Sequence, residues 1–576
     1  MKKLNFKYFL ILVGLLSFSQ ISCNKMLDLK PINEISDADY WKSTEQFQLA
    51  ANSYYNYLRT FADILNDSPH ADRRSDVQYA GASNTFSSGA NTAGATDANW
   101  NTSYSRLREV NYLLAKATEY STPADISIYV AEAKFFRAYL YFDLLQQFGG
   151  VPIVLKPIEV GAPELQAPKN TRDEVVDQII KDLDEAIAVL PLESAISSAN
   201  KGRVSKGAAQ SFLSRVALYE GTWQKFRNNA ARANPLLDKA ISSCDAVIAS
   251  TQYSLFAPAA LGDSAQKYMF ILEDEKSNPA GLQKATNKEY ILANRYSYSL
   301  RQIRMNITHA CLSNVYWITK KYADMYLSQD GLPITKSALF QGYATTTSEF
   351  LNRDNRMKYN LMLDGRYYWD NENPGARSTW LGDAADRASS RGINNAATGS
   401  GYSNQKWATE RRLNDNEEGY DFPVIRYAEV LLNYAEAVLE RNGSITDVDL
   451  NKSLNLVRNR VNKTMPKLSN SFVSDNSLDM RTEIRRERNI ELYFEGFRID
   501  DLKRWKTAET EMPMDIQGIT YTGTAWTTKW PGISSKVVNG VYRLETGRTW
   551  ADKNYSLPIP TQQIQLNPNL VQNTGW

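Results

Sequence analysis

Glu483, Glu487, Glu491 and Glu495 recur every four residues in a stretch that also holds Arg481, Arg485, Arg486, Arg488, Arg498 and Arg504. Side chains at that spacing share one slowly drifting face of a helix. Two chemistries fit the pattern. Two carboxylates about 5 to 9.5 Å apart across a cleft form the acid and base of a glycosidase. Alternatively, the carboxylates pair with the arginines, because like charges at that spacing repel when left alone. Arginines this dense hold carboxylates ionised, which disfavours a general acid. The spacing therefore reads as a structural salt-bridge network of Arg485, Arg486, Glu491, Glu495, Arg498, Asp501 and Arg504 that ties the helix to the loops packed over it.

Little else in the chain offers catalysis. His70 and His309 are the two histidines, far apart and in no HExxH-like pattern, so a zinc hydrolase or a Ser-His-Asp enzyme has few parts to build with. GxGxxG and Walker patterns are absent, and no EF-hand loop is present. No cofactor is expected and no metal ligand set stands out, although Asp-rich turns leave a structural Ca²⁺ open. The reading is a non-enzyme.

Binding chemistry is better supplied. The chain holds 33 Tyr and 12 Trp, rings whose flat faces suit both helix packing and the stacking of sugars. Aromatic and polar side chains mix outside helical stripes in several loops. "HADRRSDVQY" offers Asp72, Arg74 and Tyr79, and "NWNTSY" offers Trp100 and Asn101, with Trp100 equally suited to scaffold because it opens a helix. "NVYWITK" offers Trp317, and "GRYYWDNENPGARSTW" offers Tyr368, Trp369 and Trp380. The expected ligand face joins the 66–104 loop to the 310–420 region.

The elements that must position these residues are mostly helical. "AEAKFFRAYLYFDLLQQFGG", "GAAQSFLSRVALYEG" and "VLLNYAEAVLERNG" place apolar residues at steps of three and four, with Gly149, Gly221 and Gly443 as stops. Four further segments, starting near residues 38, 100, 171 and 234, have the same character. Paired helices ending in glycine predict a tetratricopeptide-like repeat scaffold. Residues 66–99 and 364–420 have no periodicity, and residues 510–555 alternate in a weakly strand-like way. Aromatic-bearing loops of this length are functional more often than idle.

At the N-terminus, Lys2, Lys3 and Lys7 precede an apolar run from Phe9 to Phe18. Ten residues are too few to span a bilayer, which takes about 20. The pattern is that of a secretory signal, residues 1–22, with Cys23 as the first mature residue and the site of acylation. Ser22 fits such a processing site, whereas Gln20 stands where an aliphatic residue is commoner. Removing residues 1–22 takes three of the 66 Lys and Arg and none of the 64 Asp and Glu, leaving a mature charge of −1. That balance gives no general attraction to nucleic acid. Cys244 and Cys311 are the remaining thiols, expected buried and unpaired.

"CNKMLDLKP", "AEAKFFRAYLYFDLLQQFGGVPIV", "YLSQDGLPI" with "NRDNR", "FPVIRYAEVLLNYAEAVLERNG", "IRRERNIELYFEGFRIDDLKRW" and the tail "LPIPTQQIQLNPNLVQNTGW" occur in an order that resembles SusD/RagB-family outer-membrane lipoproteins. Asn355 replaces the proline of that family's Asn-Arg-Asp-Pro-Arg element. The resemblance runs from about residue 23 to 576. It implies a mostly α fold with long irregular loops and minor β elements. It also implies a lipid-anchored protein on the outside of the outer membrane, partnered with a SusC-type TonB-dependent transporter and capturing oligosaccharides, or in some members peptides, for import. The expected organisation is one body over 23–576, with a helical repeat part at about 23–260, a loop-rich ligand-binding part at about 261–420, and C-terminal helices and a closing segment at about 421–576.

Overall fold

The computed structural model describes residues 40–275, 277–305, 307–309, 316–364, 396, 399–409 and 416–576. Helices carry the body: α1 (Thr44–Tyr54), α2 (Ala98–Ala117), α3 (Ser127–Phe148), α4 (Arg172–Val189), α5 (Lys206–Lys225), α6 (Ala230–Ala249), α7 (Tyr427–Asn442), α8 (Met480–Glu491) and α9 (Arg498–Arg504). From α2 to α8 each of these helices packs on the next in the series, as in a tetratricopeptide-like stack. The strands are short: β1 (Gln78–Tyr79), β2 (Tyr290–Asn294), β3 (Trp317–Ile318), β4 (Phe422–Arg426), β5 (Ile516–Thr520), β6 (Val537–Val538) and β7 (Val541–Glu545). β1 pairs with β3 and β2 with β4, both antiparallel, and β7 lies between β5 and β6. The weak alternation at 510–555 thus becomes a small sheet.

Local chemistry explains the helix limits. α4 opens on a capping box: Thr171 Oγ1 accepts from the Glu174 amide at 3.2 Å, and Glu174 Oε2 accepts from the Thr171 amide at 2.7 Å. Its buried residues Val175, Val176, Ile179, Leu183 and Ala186 keep the helical period. α7 ends at Gly443, whose φ of +75° suits glycine and whose amide reaches Leu439 O at 2.8 Å. Gly221 behaves differently from the stop expected of it. α5 continues through it to Lys225, and the glycine serves packing instead: a Cβ there would lie 3.0 Å from Leu237 of α6. Four residues join these two helices, so α5 and α6 form a close hairpin.

The acidic ladder departs from the sequence reading in two ways. α8 ends at Glu491, so Glu495 stands beyond the helix, in a turn where Phe494 and Gly496 both have positive φ. The partners of Glu491 also come from distant segments and not from the arginines around it. Arg356 Nη1 lies 3.1 Å from Glu491 Oε2 and 2.6 Å from Glu487 Oε1. Arg460 meets Glu491 and lies 2.8 Å from Glu289. Arg426, the last residue of β4, spends all five guanidinium donors: on Glu289 at 2.9 Å, Glu491 Oε1 at 2.7 Å, the Glu491 carbonyl at 2.7 Å, and the two oxygens of Glu495 at 2.7 and 2.9 Å. Lys406 reaches Glu495 at 2.6 Å, Arg458 reaches Glu487 at 3.0 Å, and Asp354 holds Arg356 at 2.7 Å. All ten of these side chains are buried, and their five positive and five negative charges balance.

Apart from Arg486, the arginines flanking the ladder serve other contacts. Arg486 meets Glu483 at 3.2 Å, and Arg485 lies over the Trp505 ring at 4.5 Å, with Glu440 3.9 Å away. Arg488 and Arg504 share Asp501 at 2.7 and 2.8 Å, Arg504 also holds Glu436 at 2.7 Å, and Arg498 grips Asp76 at 2.7 Å.

Burial alone would raise the Glu491 carboxyl, but Arg460, Arg426 and Arg356 outweigh it and hold the group well below the ordinary carboxylate range. A depressed carboxylate stabilises the fold fully above its unfolded pKa, near 4.5, and that contribution is lost as pH falls through the folded value. Glu491→Gln is expected to cost about 3–5 kcal/mol, because it strands three buried guanidiniums. The measurement is urea and thermal unfolding at neutral pH and at about pH 4. An unchanged midpoint in the variant would remove the network from its supporting role.

Candidate functional site

Residues 66–91 form an irregular segment held down by charge. His70 lies between two carboxylates, with Nε2 2.7 Å from Asp143 of α3 and Nδ1 2.6 Å from Asp500 of α9. Asp72 is 1 % exposed and accepts the Phe494 amide at 2.6 Å. Burial pushes its carboxyl up to about 7, against the Phe494 amide and Lys406. Asp76 is buried as well, with Arg498 at 2.7 Å and Lys321 at 2.5 Å. Asp72 and Asp76 of the "HADRRSDVQY" motif therefore face inward and fix the segment.

Arg73, Arg74 and Tyr79 are the partly exposed members of that motif. Arg74 is half-buried, with Nε donating to Asp67 Oδ1 at 2.7 Å and its guanidinium 5.3 Å from the Phe86 ring centroid. Asn84 donates to the same Asp67 oxygen at 2.8 Å. Tyr79 is half-buried on β1, and Glu545 of β7 is near enough to add to the burial that raises its phenol. Ser83 donates to Glu545 at 2.7 Å, which joins the segment to the β5–β7–β6 sheet. Arg74 and Tyr79 are the sequence candidates placed on this face; Asp67, Ser83, Asn84 and Glu545 join them without having been singled out. Their only trace in the sequence is that the first three fall in or beside a polar stretch without period.

Two tryptophans among the candidates sit elsewhere. Trp317 of β3 pairs opposite Tyr79 but is 2 % exposed, and a Cβ on Gly399 would lie 2.0 Å from its indole, so the ring is covered by backbone. Trp100 of α2 is 4 % exposed, with the Tyr104 and Phe148 rings each at 5.0 Å. Both indoles pack the interior and present no open face for stacking, and Asp72 is likewise occupied. Asn101 is exposed on α2. Tyr368, Trp369, Trp380, Cys23 and Cys311 lie outside the described residues. Cys244 is an unpaired, buried thiol that burial pushes up to about 12.

Glu487 and Glu491 are fully buried and ion-paired, so neither carboxyl meets solvent or a cleft. Among the described residues, no group of three His, Cys, Asp or Glu side chains is arranged to hold a metal ion. No described helix is long and apolar enough to cross a membrane.

Burial and Arg59 lower the His70 imidazole, but Asp500 and Asp143 outweigh them, so its pKa is raised above 6.5. Its contribution to stability is then full below 6.5 and fades as pH rises through the folded value. His70→Gln is expected to flatten the fall of melting temperature between about pH 6 and 9. Comparing the two profiles isolates His70 from Asp72, whose raised carboxyl also favours acid. Parallel profiles would show that the imidazole does not change its charge in the folded protein.

Comparison with known proteins agrees with this architecture over nearly the whole chain. The family model described as "SusD family" matches residues 281–576, and one described as "Starch-binding associating with outer membrane" matches residues 25–218. "SusD-like protein P38" of Formosa agariphila is 25% identical over 538 residues, covering 90% of this chain and 94% of that protein. A SusD-like carbohydrate binding protein from Bacteroides fragilis superposes with a TM-score of 0.72 at 24% identity, covering 92% of this chain and 99% of the other. The surface glycan-binding protein A from Bacteroides fluxus gives a TM-score of 0.60 at 19% identity, over 93% of this chain and all of that one. At these identities the solved structures establish the fold. With its helical stack and small sheets in that arrangement, and a family match over more than half its length, the chain belongs to the SusD family.

Proposed function

We propose that this protein is a lipoprotein of the outer cell surface that binds oligosaccharides and passes them, uncleaved, to a SusC-type TonB-dependent transporter. The observation that carries the ligand class is the family match. The model over residues 25–218 is named for starch binding and outer-membrane association, and a solved relative by fold is a carbohydrate-binding protein. The outward face of residues 67–91 offers the needed chemistry: a tyrosine ring, and an Arg74–Asp67–Asn84 cluster whose spare donors and acceptors suit vicinal hydroxyls. Binding without cleavage is supported by the ion pairs that lock Glu487 and Glu491 away from solvent.

Attachment through acylated Cys23 is supported by the short apolar run and the basic flank that precede it. One acyl chain gives marginal membrane binding and two or more give a stable anchor, so diacylation there suffices without a spanning helix.

Native affinity electrophoresis against a panel of polysaccharides is expected to show retardation without degradation. Tyr79→Ala and Arg74→Ala are each expected to weaken binding about tenfold by titration calorimetry. Equal affinity in both variants would remove this face, and released sugars would remove the non-catalytic reading. Cys23→Ser is expected to move the protein from the membrane fraction to the soluble one and to abolish palmitate labelling; a membrane-bound variant would overturn the anchor.

A further inference from the structure

Away from the 67–91 face, two cavities of about 390 and 700 Å³ meet across the Lys201–Arg203 turn and Arg295, and both are lined by these residues. The smaller runs under α1 and is lined by Gln48 and Asn52 of that helix, by Asn56 just beyond it, and by Asn200, Asn294 and Arg301. The larger opens towards Tyr253, Tyr290 and Lys284. The lining mixes amides, phenols, cations and acids with apolar side chains such as Leu58, Leu272, Ile291 and Leu292.

The charges of this cleft do not cancel. Arg203 holds Glu132 at 2.8 Å, Lys201 holds Glu193 at 3.1 Å, and Lys284 holds Asp421 at 2.7 Å. Lys288 and Asp274 add one charge of each sign to the larger cavity. Arg295 and Arg301 remain. Both are exposed, and neither has a carboxylate within ion-pairing distance among the described residues.

These two guanidiniums are also held in place, unlike an idle surface arginine. Arg295 crosses Gly202, where φ is +98° and a Cβ would lie 2.7 Å from its Cδ, and its Nη1 donates to the Lys201 carbonyl at 2.7 Å. Only glycine leaves room for that crossing. Arg301 Nη1 donates to Asn294 Oδ1 at 2.8 Å and to the Arg295 carbonyl at 2.5 Å, and its guanidinium lies 4.7 Å from the Tyr296 ring centroid. The backbone beneath it is fixed by reciprocal bonds between Ser297 and Arg301 at 2.7 and 3.0 Å. Each guanidinium therefore keeps its Nε and Nη2 donors for a partner from solution, in a geometry set beforehand. A fixed guanidinium fork matches the paired oxygens of a carboxylate or a sulfate, and fixing it in advance lowers the entropy lost on binding.

We propose that this cleft binds an acidic oligosaccharide, whose carboxylate or sulfate groups pair with Arg295 and Arg301 while its hydroxyls meet the amides of Gln48, Asn52 and Asn200. The proposal rests on the carbohydrate-binding reading for its ligand class, and places acidic sugars at a site separate from Tyr79 and Arg74.

The test is calorimetry on the mature protein with oligogalacturonate, chondroitin sulfate oligosaccharides and neutral maltoheptaose as probes. At least one acidic probe is expected to bind, with affinity falling as NaCl rises, and Arg295→Gln and Arg301→Gln are each expected to weaken it about tenfold. Which acidic probe binds distinguishes carboxylate from sulfate. Arg301→Lys, which keeps the charge and loses the fork, is expected to fall between wild type and Arg301→Gln. Undiminished binding of the acidic probe by the Arg295→Gln/Arg301→Gln double variant overturns the proposal. So does binding of neutral maltoheptaose without either acidic probe, an outcome that leaves the carbohydrate reading intact. Failure of every glycan to bind, across these probes and the polysaccharide panel, overturns both.

Discussion

Ten charged side chains taken out of water together constrain how the distant segments of this chain can meet. Each buried ion costs several kcal/mol in lost hydration, and the loss is best offset when every donor finds an oxygen. Arg426 meets that condition completely, and it can do so only if Glu289, Glu491 and Glu495 converge on the end of β4. Segments far apart in the chain must therefore arrive at one point. Hydrophobic burial tolerates small shifts in register, whereas a guanidinium with five filled donors does not. The network selects one arrangement out of those that a set of amphipathic helices allows.

The same physics reaches the surface through residues 66–91. A segment without helical or strand period has no repeating pattern of backbone hydrogen bonds to hold it. Here side-chain charges do that work, with His70 between Asp143 and Asp500, Asp72 on the Phe494 amide, and Asp76 on Arg498 and Lys321. Three anchors facing inward leave Arg74 and Tyr79 facing outward in fixed positions. Alternation of this kind lets an irregular loop present a recognition surface at little entropic cost. Arg295 and Arg301 are fixed by a similar division, with some donors spent on backbone carbonyls and the remainder free.

Aromatic content served the interior more than the loops suggested. Trp317 and Trp100 fall in stretches that read as ligand-facing, yet Gly399 closes over one and Tyr104 and Phe148 flank the other. Nothing local distinguishes an indole that stacks on a sugar from one that fills a core, because the same apolar face and polar edge suit both. Gly221 illustrates a similar ambiguity. A glycine at a plausible helix stop proved to be a point where Leu237 of the next helix comes close.

The main helices, the stop at Gly443, the mostly α class and the family were legible in the sequence, since periodicity and helix stops depend on residues within a few positions of one another. That the glutamate ladder is structural was legible too, from the density of arginine. Arg486 answers Glu483 from nearby, but the arginines that answer Glu491 were not legible: Arg356, Arg426 and Arg460 lie 31 to 135 residues away from it, and Glu495 leaves the helix before it joins them. The outward face at Asp67, Asn84 and Glu545 and the cleft at Arg295 were equally hidden. Local order is written in neighbouring residues, whereas charge complementarity among distant segments exists only after the chain has closed on itself.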